Sequence, residues 1–270
     1  MTTISVQKVV ILGCGNLAWH LAKNLNSQKK YSLFIYNHKP NEQLRQFKKS
    51  FNAKIYENFE SIIVDSDYYF ICVADRFIAK SAKRISTRKS EAVIIHTSGS
   101  ASIKELGERL CDTAVFYPLQ TFSKNDDLNW AETPIIIESS KESTVIRMKT
   151  FAKNISRNVL IMDYTLRLKM HLAAVLVNNF TNSLYVASMD VIGKHMGGKG
   201  HISLLLPLIK QTVDKLDKLD PHEAQTGPAK RGDKHVMKKH LTLLSKQSEM
   251  KKIYKQMSKL IVKQQENKHA

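Results

Sequence analysis

"KVVILGCGNLAWHLAKNL", residues 8–25, decides how the first half of the chain folds. Val9 to Leu12 form a β-branched and aliphatic run that breaks at Gly13 and Gly15, and Leu17, Leu21 and Leu25 then recur with helical spacing. That order reads as strand, tight turn, helix. Gly13-Cys14-Gly15-Asn16-Leu17-Ala18 fits the G-x-G-x-x-A pattern. The first glycine permits the turn, the second lets a pyrophosphate approach the backbone, and the small Ala18 allows close helix–strand packing. A helix N-terminus behind such a turn attracts anions. A tight turn with no ligand is the competing reading. The position of the pattern, between a first strand and a first helix, favours a dinucleotide held at Gly13, Gly15, Asn16 and Leu17.

Working outward, "YSLFIYN" reads as a second strand, "AKIY" as a third, "DYYFICVAD" as a fourth, "EAVIIHTSG" as a fifth, "TAVFYPL" as a sixth and "TPIIIES" as one more. Helical segments such as "NEQLRQFKKSF" and "DRFIAKSAKRI" separate several of them. Strands alternating with helices imply a parallel sheet with right-handed crossovers. The expected class is α/β: a doubly wound Rossmann-like parallel sheet over residues 1–163, followed by an all-α part over 164–270.

The second strand ends in Asn37-His38-Lys39, where an NAD site usually places an acidic residue for the ribose hydroxyls. An amide and two potential cations suit a 2′-phosphate, so NADP(H) is the expected cofactor, against the plainer reading of a basic loop. Ligands in open α/β sheets sit outside the carboxyl ends of the strands. Val73-Ala74-Asp75, His96-Thr97-Ser98-Gly99, and Gln120-Thr121 therefore fall where a crevice is expected. Ser98 is no nucleophile elbow, because His96 stands where that motif needs glycine. His235 and His240 lack zincin spacing, so no metal site is expected.

In the second half the periodicity predicts a long helix over about 165–193, a break at "MGGKGH", a helix over 202–219, a loop containing "TGPAKRGD", and two more helices. The first of these carries a polar stripe. His171, Asn178 and Asn182 lie seven and four residues apart, nearly in line at 100° per residue, and Arg167, Tyr164 and Tyr185 extend the line. Polar groups buried without partners cost about 1–3 kcal/mol each, so the stripe must meet protein, water or ligand. It reads either as satisfied core polar groups or as a site beside the nicotinamide. In the second case His171 serves as proton donor, and Asn178 and Asn182 orient a carbonyl or imine. In the "TGPAKRGD" loop, Arg231 could clamp an anionic substrate, or Asp233 could simply cap the next helix.

The totals set outer limits. A chain of 270 residues with 43% hydrophobic content can bury a real core. No stretch approaches the roughly 20 apolar residues of a membrane span. Lys8 adjoins only a short apolar run, and three cysteines make an odd number, which suits a reduced, cytoplasmic protein. Net charge is +18, and residues 151–270, with 21 Lys+Arg and 9 Asp+Glu, supply +12 of it. The lysines of the C-terminal stretch alternate with helically spaced apolar residues. A solvated helix face is favoured over nucleic-acid binding, since no recognition motif accompanies them.

The segments "GCGNLAWHLA", "VAD", "HTSGS", "FYPLQTF", "HLAAVLVNNFTNSLY", "LLPLI" and "TGPAKRGD" together give the chain a resemblance to Rossmann-like bacterial proteins with a C-terminal domain of unknown function, number 2520. That group is similar in architecture to pyrroline-5-carboxylate reductase, ketopantoate reductase and the hydroxyacid dehydrogenases. The resemblance implies an N-terminal NADP domain joined to a helical domain that dimerises. The catalytic lysine of hydroxyacid dehydrogenases does not carry over: four residues before Asn178 stands Ala174, and Lys169 lies about 160° around the helix from His171. Two functions remain open: an NADP-dependent reductase of a small C=O or C=N substrate, anionic if Arg231 holds it, and a nucleotide-binding regulatory protein without turnover. Apolar faces over 165–193 and 202–219 exceed what one small helical domain needs, so a homodimer is expected.

Overall fold

The computed structural model describes residues 6–39, 41–62, 65–85, 91–108, 111–193 and 202–266. The "MGGKGH" break expected between two helices lies outside them. Eight strands form one sheet: β1 (Gln7–Leu12), β2 (Tyr31–Tyr36), β3 (Lys54–Tyr56), β4 (Tyr68–Ile71), β5 (Val93–His96), β6 (Asp112–Pro118), β7 (Ile135–Glu138) and β8 (Val159–Ile161). Their order is β3-β2-β1-β4-β5-β6-β7-β8. The first six run parallel, and the order reverses at β1/β4, the switch point of a dinucleotide-binding fold. The sheet is mostly parallel, as the sequence leads one to expect, with one reversed pairing. β7 runs antiparallel to β6, and β8 runs parallel to β7.

Alternation along β1 explains why both faces are covered. Val9 and Ile11 join a core with Ala18, Leu21 and Leu25 of α1 (Asn16–Asn26), Leu44 and Phe47 of α2 (Glu42–Phe51), and, across the same face, Met148 and Phe151 of α4 (Glu142–Lys153). Val10 and Leu12 point the other way, into a core with Ile78 and Ala82 of α3 (Ile78–Arg84). These strands are buried on both faces, which is why they read as continuous apolar runs.

After β8, Asp163 caps α5 (Tyr164–Ala174) by accepting from the Leu166 amide at 2.8 Å. The helix then winds as a π-helix over Val175–Phe180 before α6 (Thr181–Gly193). The chain divides into two compact units, 1–178 and 179–270. The second contains α6, α7 (Leu206–Lys215), the short α8 (Pro221–Ala224), α9 (Lys234–Leu243) and α10 (Ser248–Glu266). Asp220 and Asp233 cap α8 and α9 through the amides of His222 and Val236. His240 of α9 hydrogen-bonds the Tyr254 hydroxyl of α10 at 2.8 Å. Leu208 and Leu243 of this unit are 67% and 73% exposed, too much apolar surface for a closed helical core. No helix among the described residues is long and apolar enough to cross a membrane.

Candidate cofactor and active site

At the end of β1, Gly13 has φ +109°, and a Cβ there would lie 2.2 Å from the Cys72 carbonyl oxygen. Both backbone and space require glycine. Gly15 is different: an added Cβ would meet no protein atom within 4 Å, so its smallness leaves room for something outside the chain. Gly15 is also the N-cap of α1, with no side-chain cap and no acidic residue in the first turn. The helix thus presents unmatched backbone N–H groups, the requirement for a phosphate.

That turn opens on a cavity of about 470 Å³. Of the residues expected at the cofactor, Gly13, Gly15, Asn37, His38, Val73 and Ala74 line it. Asn16, Leu17, Lys39 and Ser98 do not. The Asn16 amide donates to the Phe122 carbonyl at 2.9 Å, and His20 Nε2 donates to Ser123 O at 2.7 Å, so α1 is tied to the segment after β6. Asn37 spends its amide on the Lys39 carbonyl, which folds the loop after β2. The sequence reading missed the wall supplied by α3, where Lys80, Ser81 and Arg84 line the cavity. Their spacing of one and three on a helix following β4 was the available signal. Arg84 pairs with Glu60 at 3.0 Å and lies 4.1 Å above the Phe59 ring. Uncapped N–H groups, an open Gly15 and flanking cations fit the pyrophosphate and adenosine phosphate of NADP(H).

Farther along the strand ends most polar groups pair with one another, the buried Nε2 of His96 excepted. Asp75 accepts from the hydroxyls of Ser98 and Ser100, at 2.8 and 2.5 Å. His96 is buried, and its Nδ1 accepts from the Ser98 amide at 3.2 Å. Burial, and secondarily the Arg167 charge, push its pKa down to about 4, so it stays neutral. Arg167 of α5 has no exposed surface. It donates to the carbonyls of Ser98, Gly99 and Ala101 at 2.8–2.9 Å and pairs with Glu138 of β7 at 2.9 Å.

One turn on, His171 is partly exposed, and its Nδ1 lies 3.0 Å from the Tyr117 hydroxyl of β6. A Cβ on Gly99 would come within 2.6 Å of that nitrogen and 2.7 Å of the Tyr117 ring. Tyr117, overlooked in the sequence reading although it lies in "FYPLQTF", thus shares a packed corner with His171.

The polar stripe is shorter than the 100° step implies. Asn178 and Asn182 are exposed, so the cost of burying polar groups does not apply to them. The π turn also carries fewer degrees per residue than an α turn, so counting residues from His171 to Asn178 and Asn182 does not define one line. Asn178 ends the first unit, and Asn182 belongs to the second. In the second unit Asp233 is the N-cap of α9, Lys230 donates to the Gln225 carbonyl at 2.7 Å, and Arg231 is exposed. Among the described residues no group of three or more His, Cys, Asp or Glu could hold a metal ion.

Comparison with known proteins adds family membership. Residues 8–99 match a family described as NADP oxidoreductase, coenzyme F420-dependent, and residues 133–261 match the domain of unknown function 2520. A Bacteroides fragilis protein described as an NADP oxidoreductase is 30% identical, with 97% of this chain and all of that one aligned at a TM-score of 0.88. An imine reductase from Myxococcus stipitatus in complex with NADP+ shares the fold at 13% identity, covering 94% of this chain and 92% of its own, with a TM-score of 0.63. A pyrroline-5-carboxylate reductase from Coxiella burnetii does so at 12% identity, covering 97% and 98%, with a TM-score of 0.54. Among curated proteins no match is found.

Proposed function

Since the chain belongs to the family of the Bacteroides fragilis NADP oxidoreductase, we propose that it is an NADP(H)-dependent reductase of a small C=O or C=N substrate. The observation that carries this reading is the uncapped N-terminus of α1 behind an open Gly15, at the mouth of the cavity. Lys80 supplies positive charge there for a 2′-phosphate, and His38 offers a ring N–H. When bound, the reduced nicotinamide supplies the hydride. His171 gives a proton to the substrate heteroatom from Nε2, the nitrogen that Tyr117 does not occupy. Asn178, in the same unit as His171, orients the substrate. The apolar surface on α6 and α7, including Leu184, Val186, Leu208 and Val213, is covered by a second copy of the chain. Light scattering at micromolar concentration should then return twice the 30.8 kDa chain mass.

Calorimetry with NADPH and NADH, followed by a panel of cyclic imines, 2-oxo acids, ketones and oxidised coenzyme F420 monitored by NADPH absorbance, tests the reading. Tighter NADPH binding with turnover of any panel member supports it. Failure to bind either nucleotide overturns it. Tight binding with no turnover across the panel favours the regulatory alternative.

A further inference from the structure

We infer that Tyr117 is a positioning residue: its hydroxyl occupies Nδ1 of His171 and thereby fixes Nε2 as the nitrogen presented to substrate. The inference rests on the reductase reading only for what Nε2 meets. The geometry stands independently of it. Tyr117 lies on β6 at the strand ends, 54 residues before His171, and the two rings pack edge to face at 5.8 Å. Among the described residues the His171 side chain makes this one hydrogen bond, which leaves Nε2 without a protein partner.

Three further features hold the pair in place. Gly99 lies directly beneath both side chains, where even a methyl group would strike the Nδ1 atom and the phenol carbon. Arg167, one helical turn before His171 on the same face, anchors α5 to that same loop through three carbonyls. Phe116, beside Tyr117, is buried in the opposite core, so strand alternation leaves Tyr117 no other side to face.

The proton inventory gives the pair a direction. Burial pushes the Tyr117 phenol above its ordinary value, so the hydroxyl keeps its hydrogen. A neutral imidazole with its hydrogen on Nε2 receives a hydrogen bond from that hydroxyl at Nδ1. Beside an imidazolium the hydroxyl rotates to accept from Nδ1–H. In both states Nε2 carries a hydrogen toward substrate. Delivery from the imidazolium balances simply: the substrate heteroatom gains the proton as its carbon gains the hydride, and His171 is left neutral until solvent reprotonates it.

The test uses the full-length chain labelled with 15N-histidine, read at pH 8 by two-bond nitrogen–proton correlation, with His171→Gln assigning the ring. The expected pattern is an Nε2–H tautomer whose Nδ1 resonance is shifted by an accepted hydrogen bond. In Tyr117→Phe that resonance should move to the position of a free ring nitrogen and the Nδ1–H form should gain population, while NADPH affinity stays unchanged. If Tyr117→Phe does not fold, 3-fluorotyrosine at 117 keeps the ring and strengthens the donor, and Nδ1 should move in the opposite direction. A native Nδ1–H tautomer, or a His171 spectrum indifferent to either change at Tyr117, overturns the inference. Because no step needs turnover, a protein with the expected spectra and no activity loses the reductase reading while keeping this one.

Discussion

The two ends of the strand crevice treat their polar groups in opposite ways. Around Gly15 the N–H groups of α1 are uncapped, and His38, Lys39 and Lys80 are exposed. Around Gly99 most polar side chains have protein partners: Arg167 donates to three carbonyls and pairs with Glu138, Asp75 accepts from two serines, and His96 Nδ1 accepts from the Ser98 amide, while His96 Nε2 is buried without a partner. Unmatched groups at a surface keep water as a partner and can exchange it for a ligand. A saturated buried network offers a ligand almost nothing and instead fixes geometry. The glycine-turn end is therefore built to bind, and the Gly99 end to hold one ring, His171, in place.

The largest expected effect comes from breaking the saturated end. Arg167→Ala leaves Glu138 and three carbonyls without their donor, and removal of one member of a buried pair costs about 3–5 kcal/mol. Urea denaturation should show that loss. A cost below about 1 kcal/mol, in the range of exposed ion pairs, would mean that this end is no framework.

Next in size is a pH effect at His96. Its folded value near 4 lies below the ordinary 6.5, so the unfolded chain takes up the proton first as pH falls. Its contribution is complete above pH 6.5 and is lost progressively toward pH 4, by about 3 kcal/mol in all. Carboxylates elsewhere add their own acid sensitivity, so the reading is a difference. His96→Asn should flatten the fall in urea midpoint between pH 7 and pH 4.5, and an unchanged slope would show that His96 is protonated without penalty.

At the open end the expected effects are smaller and concern binding, not stability. Hydrogen bonds to a charged group contribute about 1.5–3 kcal/mol, so the His38→Ala, Lys39→Ala double variant should weaken NADPH binding about tenfold or more and leave NADH unchanged. Lys80→Ala should act in the same direction, since Lys80 lines the cavity and Lys39 does not. A double variant that is silent beside a sensitive Lys80 would move 2′-phosphate recognition from the β2 loop to α3. Equal losses for both nucleotides would break the link between these side chains and the phosphate.

Legibility in the sequence divides along the same line. The glycine turn is local, six consecutive residues whose roles follow from backbone geometry, and seven strands fall where their apolar runs lie. The reversal at β7 was hidden, because direction depends on pairing with β6 across residues 119–134, which carry no periodic pattern. So was β8, a three-residue strand that is short of any periodicity. The π turn escaped because Val175 to Phe180 have ordinary helical composition and only their hydrogen bonding differs. The Tyr117–His171 pair joins residues 54 apart, a distance at which single-sequence spacing says nothing about contact.

The smallest expected effect is at Asn178, and it separates the two ends most finely. Its side chain is exposed within a π turn, so holding it there depends on no buried hydrogen bond. Asn178→Ala should leave stability within about 0.5 kcal/mol, the range of surface substitutions. It should also leave NADPH affinity unchanged, since Asn178 does not line the cofactor cavity. Any fall in turnover of an identified substrate would then have to come from contact with that substrate, because neither the scaffold nor the cofactor end has moved. A stability loss above about 1 kcal/mol for Asn178→Ala would assign the residue to the saturated framework and remove it from the site.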